Sequence, residues 1–273
     1  MSSYEFIKTD RQDSTVIARL NNPPRHLLNA RMVLELRALA SEVEEDGTVR
    51  SLILTGDAEG TFITHYDVGE LSKASDRVRE QNPPDGGGEV ELHGMHKLLL
   101  ALQELSKPVI AAINGTAMGG GCELALACDF RYIARGGVIG LPEVRVGILP
   151  GAGGTQRMTR LLGTAKALEL MLLGQVLSAD EAERVGLVHK AIEPDQLLPQ
   201  ALALAMELSS LPPLSIALIK RCVLQGSDLP LLDALKLEQQ AFMRTMRSDD
   251  AARLMREYQA GDTPLNEIQS ALD

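Results

Sequence analysis

The sequence has no tryptophan and only four phenylalanines and four tyrosines in 273 residues. Stacking of unpaired bases on aromatic platforms is an improbable activity for such a chain, and its core must be aliphatic. Cysteine is equally scarce. Cys122, Cys128 and Cys222 form no CxxC pair and are too scattered for a disulfide framework, which points to a reducing compartment. No apolar run approaches the roughly 20 residues of a membrane-crossing helix. The opening MSSYEFIKTDRQDS has neither the basic nor the apolar segment of a secretory leader, so a cytoplasmic location is expected. Basic side chains are outnumbered, 27 against 37 acidic, for a net charge of -10. That balance argues against a general nucleic-acid or anionic-membrane surface. What is present, 45% hydrophobic and 23% charged residues, describes a globular protein with room for a large core.

The run Thr15 to Leu20 (TVIARL) reads as a strand stopped by the two prolines of NNPPR. Apolar residues at helical spacing from Ala30 to Glu45 predict an amphipathic helix. Ser51 to Thr55 (SLILT) predicts a buried strand ended by Gly56, so the chain opens as a crossover unit. Lys73 to Glu91 contains NPPDGGGE and is expected to be a loop. A helix over Leu92 to Leu105 and a strand over Val109 to Asn114 follow. Beyond Gly163 the pattern becomes almost continuous helix, giving an α/β part over residues 1–192 and a helical part over 193–273.

Chemistry concentrates in two segments. In AAINGTAMGGGCELALACDF a strand runs into Gly119-Gly120-Gly121 and then a short apolar helix containing Glu123. Glycines there admit a ligand to the backbone and leave N–H groups free for negative charge, although a close-packed turn has the same signature. The pattern is neither GxGxxG nor GxxxxGK[ST], so nucleotide phosphate binding lacks its usual residues. Glu123 is either a capping carboxylate or a site group. In GLPEVRVGILPGAGGTQR, Glu143 alone could simply pair with Arg145. Taken with Glu123, it makes a pair of carboxylates able to hold a water and move two protons. His93-x-x-His96 lacks the i,i+4 spacing of a metal face and is read as a solvated helix face; no metal site is expected.

NGTAMGGGCELALACD followed by LPEVRVGILPGAGGTQR resembles the defining segments of the crotonase superfamily, the enoyl-CoA hydratase/isomerase family. The likeness extends more weakly from NNPPRHLLNA to RSDDAARLMREY. It implies an α/β fold, a spiral of ββα turns, with a C-terminal α-helical trimerisation region. Residues 1–192 would form the spiral core with the acyl-CoA site, and 193–273 a helical region of the same structural unit. It also implies a homotrimer or a dimer of trimers.

The resemblance further implies a hydratase acting on 2-enoyl-CoA, with Glu123 and Glu143 as base and acid and Gly151 placing the water. The backbone N–H groups of Tyr66 and Gly120 would form the oxyanion hole. No separate cofactor is expected, because coenzyme A is part of the substrate. Arg25 would meet the CoA phosphates, and Leu27, Thr64, Asp67 and Val68 would line the adenine and pantetheine. Related isomerase, dehydratase, hydrolase or lyase chemistry, or a silent acyl-CoA-binding subunit, are the alternatives. The sequence departs from the family at FITHYDV, where His65 and Tyr66 replace small residues, and after Tyr258, where the usual lysine and arginine are missing. The two bulky side chains are expected to reshape the acyl or pantetheine channel rather than to act as acid or nucleophile.

Overall fold

The computed structural model describes residues 3–81 and 91–261. An N-terminal hairpin of β1 (Ile7–Gln12) and β2 (Thr15–Leu20) leads to helix α1 (Ala30–Glu45). Asn29 starts that helix, its side chain accepting the Met32 N–H at 2.8 Å. Three successive turns of the chain then repeat one plan, two strands followed by a helical segment. The first is β3 (Ser51–Gly56), β4 (Gly60–Ile63) and α2 (Val68–Gln81). After α3 (Gly94–Glu104), the second is β5 (Val109–Ile113), β6 (Gly115–Met118) and α4 (Gly120–Leu126). The third is β7 (Phe130–Ala134), β8 (Val138–Gly140) and a 3-10 turn at Glu143–Val146. This is the ββα spiral.

The first strand of each pair joins one sheet and the second joins another. The larger sheet, completed by β10 (Lys190–Ile192), runs β1-β2-β3-β5-β7-β10; the smaller, completed by β9 (Val176–Ser178), runs β4-β6-β8-β9. Between β8 and β10 the chain also forms α5 (Gly154–Leu162), α6 (Thr164–Leu172) and α7 (Ala179–Arg184), the last with a Ser178–Glu181 capping box. The central strands of the large sheet are mostly apolar and almost wholly buried because both faces are covered. Leu52, Leu54, Val109, Ala111 and Ile113 face the main core under α1 and α3. Ile53, Ile110 and Ala112 face the other way, onto Leu197, Ala201 and Ala205 of α8 (Leu197–Ser209).

Helices α9 (Pro213–Gly226), α10 (Leu231–Met246) and α11 (Asp249–Ala260) end the described chain. Among them only Leu218 is buried. Helix α9 is tied to the core by a near-buried ion pair, Lys220 Nζ to Asp129 Oδ2 at 2.7 Å, and Lys220 also donates to the carbonyls of Lys107 and Leu102.

Two expectations need correction. Residues 73–81 are the end of α2, not a loop; the Pro/Gly run begins only at residue 83, and residues 82–90 lie outside those described. The helix is easily missed because it buries no residue and its apolar face is thin, with Val68, Leu71 and Val78 its only large apolar side chains. The stretch from Gly163 to residue 192 is also less uniformly helical than its pattern implies, because β9 and β10 interrupt it to complete the two sheets. Among the described residues, no single helix is long and apolar enough to cross a membrane.

Candidate active site

Three parallel strands place the predicted residues. Ile63 of β4 pairs with Ala117 of β6, and Met118 of β6 pairs with Gly140 of β8, so the three strands end side by side. Sites form at the carboxyl ends of parallel strands because the chain there leaves the sheet with its backbone groups unpaired. Tyr66 follows β4 by three residues, Gly120 and Glu123 follow β6, and Glu143 follows β8 by three.

After β4, the chain is zipped to residues 25–28. Thr64 N–H donates to the His26 carbonyl, Leu28 N–H to the His65 carbonyl and Asp67 N–H to the Leu28 carbonyl, at 2.8 to 3.1 Å. Pairing of Leu28 with Tyr66 in this parallel bridge turns the Tyr66 N–H to the opposite side. There it faces Gly120, where a Cβ would lie 3.5 Å from the Tyr66 nitrogen. Neither the Tyr66 nor the Gly120 N–H donates to a backbone acceptor among the described residues. Gly119, at φ +51°, provides the left-handed step from β6 into α4.

The Tyr66 ring is committed elsewhere. Its hydroxyl donates to Glu70 Oε2 at 2.9 Å, and the same oxygen accepts the Ala30 N–H. Burial, then Glu70, pushes the phenol well above its ordinary pKa, so it remains a donor. His65 Nδ1 contacts the Tyr66 carbonyl at 2.7 Å. Both bulky departures therefore have structural contacts.

Glu123 is buried on α4. It does not cap its own helix; Oε1 accepts the N–H groups of Ala152 and Gly154 at 2.7 and 2.9 Å. Burial raises its pKa, while those two amides and the charges of Arg157 and His93 oppose the rise. Glu143 has only its own backbone N–H to oppose a rise. Its Oε2 is buried with no hydrogen-bond partner, and Oε1 sits 3.1 Å from where a Gly119 Cβ would be. Burial, reinforced by the charge of Glu123, lifts Glu143 to about 7. The pairing with Arg145 does not form: that guanidinium donates to the carbonyls of Gly174 and Leu173. Two carboxylates are thus brought together in unlike environments, one solvated by backbone amides and one left to hold a proton.

The Glu143 shift has a consequence for stability. A carboxylate raised from 4.5 to about 7 on folding contributes fully below pH 4.5, and that contribution is lost as pH rises through about 7. Glu143→Gln, which never ionises, is expected to be more stable than the parent at pH 8 by about 1–2 kcal/mol after allowance for solvent screening. The gain should vanish at pH 4.5. Thermal unfolding at both pH values checks this, and an equal difference at both would contradict it.

The proposed CoA-contacting residues are arranged along the 25–28 and 64–68 zipper. Arg25 is exposed, forms no ion pair among the described residues, and its carbonyl accepts from Thr64 Oγ1 at 2.7 Å. Leu27 is buried. Asp67 Oδ1 accepts the Gly69 N–H at 2.8 Å, so this side chain also starts α2, with Val68 exposed beside it. Tyr258, on α11, is exposed.

His93 is exposed and His96 half-buried, in keeping with a solvated face, but the two side chains also have partners: their rings stack at 4.2 Å, and His93 Nε2 lies 2.9 Å from the Gly151 carbonyl. Helical spacing places them on one face, but nothing local announces a partner 58 residues away. Behind the same turn lies a cavity of about 860 Å³, bounded by His96, Leu100, Leu126, Gly153, Leu161 and Val223 among others.

The profile of the enoyl-CoA hydratase/isomerase family matches residues 10–261. The crotonyl-CoA hydratase of Syntrophomonas wolfei is 35% identical over 241 residues, covering 88% of this chain and 89% of that protein. The short-chain-enoyl-CoA hydratase of Clostridium acetobutylicum is 36% identical over 242 residues, with 88% and 89% covered. Among solved structures, the enoyl-CoA hydratase of Bacillus anthracis superposes with a TM-score of 0.85 at 32% identity, covering 96% of this chain and 98% of that one.

Proposed function

The chain belongs to the enoyl-CoA hydratase/isomerase family, and from that premise we propose that it adds water across the 2,3 double bond of a 2-enoyl-CoA thioester. The observation that carries this reading is the pair of carboxylates in unlike environments at adjacent strand ends. Glu123, held by two amides, takes a proton from water as the water oxygen bonds to C3. Electron density moves to the thioester oxygen, where the Tyr66 and Gly120 N–H groups stabilise the enolate, each donor contributing about 3 kcal/mol. Glu143, protonated near neutral pH, delivers its proton to C2, and the thioester carbonyl re-forms. Gly151 places the water. The product is a 3-hydroxyacyl-CoA; the proton left on Glu123 then replaces, through solvent, the one that Glu143 gave up, so both carboxyls are reset and the net addition is one water.

No cofactor beyond the CoA carried by the substrate enters this scheme. Arg25 is assigned to the CoA phosphates, and Leu27, Thr64, Asp67 and Val68 to the adenine and pantetheine. Arg25→Ala should raise KM roughly tenfold, as loss of one charged hydrogen bond implies, with kcat unchanged. The effect should disappear with a pantetheine thioester, which lacks the nucleotide phosphates; an equal effect on both thioesters would remove Arg25 from that role.

Residues 193–273 are assigned to the same structural unit as 1–192, supported by the packing of α8 on the large sheet. Exposed apolar side chains on α9 to α11, including Ile219, Val223, Leu231 and Phe242, support assembly as a homotrimer or a dimer of trimers. A cytoplasmic location fits the reduced cysteines. The function is tested by following enoyl thioester absorbance over a panel of acyl chains from short to long, with products identified. Loss of absorbance with formation of the 3-hydroxyacyl product supports hydration. A migrated double bond without water incorporation would assign an isomerase, and no turnover across the panel would assign a binding subunit.

A further inference from the structure

The turn from Gly151 to Gly154 is held on both sides. Its amide side faces Glu123, which receives the N–H groups of Ala152 and Gly154. Its carbonyl side faces α3 and α5. The Gly151 carbonyl meets His93 Nε2 at 2.9 Å, and the Ala152 carbonyl accepts from Arg157 Nη1 at 3.2 Å and faces His96. A carbonyl oxygen can only accept, so the proton in the first contact is on His93 Nε2.

The Gly151 carbonyl and the Ala152 N–H belong to one peptide group. In a trans peptide these two bonds are coplanar and point in opposite directions. The histidine proton, the peptide and the Glu123 carboxylate therefore form one line of donors and acceptors. Donation into the carbonyl draws electron density toward oxygen and makes the N–H on the far side a stronger donor, a cooperative gain of about 10–30% per bond. The His96 ring, stacked on His93 at 4.2 Å and nearly parallel at 17°, limits rotation of the His93 ring out of that line. His96 is kept below its ordinary pKa by burial first and then by His93, so the stack is not forced apart by a second charge near neutrality.

We propose that His93 is a positioning residue for the reaction, orienting and polarising through the Gly151–Ala152 peptide the N–H that holds Glu123, with His96 fixing its ring. This rests on the assignment of Glu123 as the base. The charged or titratable groups facing Glu123 are His93 at the start of α3, Arg157 from α5, Glu143 from the 3-10 turn and Cys122 beside it on α4, with His96 of α3 facing His93 and Arg157. Of these, only His93 bonds to the peptide that donates to the carboxylate.

The experiment uses the full chain and a 2-enoyl-CoA that the parent hydrates. His93→Ala should lower kcat on the order of tenfold, leave KM nearly unchanged, and move the acidic limb of the kcat/KM profile to higher pH, because Glu123 loses support for its charge. His93→Gln keeps an N–H donor at similar reach and should recover most of kcat and the original limb. Should the alanine variant fail to fold, His93→Met, similar in length without a donor, takes its place. Parent-like kcat and limb in His93→Ala, or equal impairment in His93→Gln, would overturn the role, the latter by assigning the loss to packing. Glu123→Gln assayed alongside separates the two levels: full turnover there overturns the hydratase reading, whereas its loss together with a parent-like His93→Ala overturns only the positioning.

Discussion

Glu123→Gln and Glu143→Gln are each expected to lower kcat by about 10²- to 10⁴-fold with little change in KM. Each variant removes one proton-transfer group, active only as the transition state forms, and leaves the thioester's backbone contacts in place. Glutamine at 123 retains an oxygen able to accept the Ala152 and Gly154 amides, so the turn should keep its shape. At 143 the orphaned Oε2 marks a position with no stabilising partner to lose. The double variant should be little worse than either single one, because two groups that work on one water act as a unit. In the parent enzyme kcat/KM should fall as pH rises through about 7, since Glu143 must carry its proton to act. Parent-like turnover in both single variants would end the two-carboxylate mechanism.

Gly121→Ala should cost both stability and activity. A Cβ at Gly121 would lie 2.6 Å from the Ile63 carbonyl oxygen and 2.9 Å from the Ile63 Cβ. Alanine in a helix interior normally gains about 1 kcal/mol over glycine. Overpacking against a backbone carbonyl costs about 1–3 kcal/mol and has no flexible side chain to absorb it, so the collision wins. The last residue of β4 and the first turn of α4 must then separate, and with them the Tyr66 and Gly120 N–H groups. A fall in melting temperature of several degrees and a loss of more than tenfold in kcat are expected. Gly47→Ala is the control, because nothing lies within 4 Å of its Cβ position. Equal behaviour of the two variants would show that the close approach does not matter.

The sequence was legible where chemistry and backbone conformation demand the same residues. Gly119 to Gly121 and Glu123 stand together because one strand end needs both a sharp turn and a carboxylate, and Glu143 follows the neighbouring strand for the same reason. Ser51 to Gly56 was legible because a doubly covered strand has an unbroken apolar centre, here Leu52 to Leu54. By contrast β4 (GTFI), β6 (GTAM) and β8 (VIG) are short and rich in small residues, so they carry almost no strand pattern although they position the whole site. The polar helix α2 was hidden by its lack of a buried face, and His93 by a partner that only folding brings near.

The strand register that gathers these groups also limits the molecule's tolerance for change. Tyr66, Gly120, Glu123 and Glu143 all follow the carboxyl ends of β4, β6 and β8, two to five residues beyond them. Segments that enter these strands lie at the opposite edge of the small sheet. One added residue on the leaving side shifts a donor or a carboxylate outright, and the entering side is no freer: the Asn114 side chain bonds the backbone of Gly56 and Ala58, and a Cβ at Gly115 would lie 1.9 Å from the Gly60 backbone. For engineering, new length therefore belongs in neither set of turns but away from the small sheet altogether.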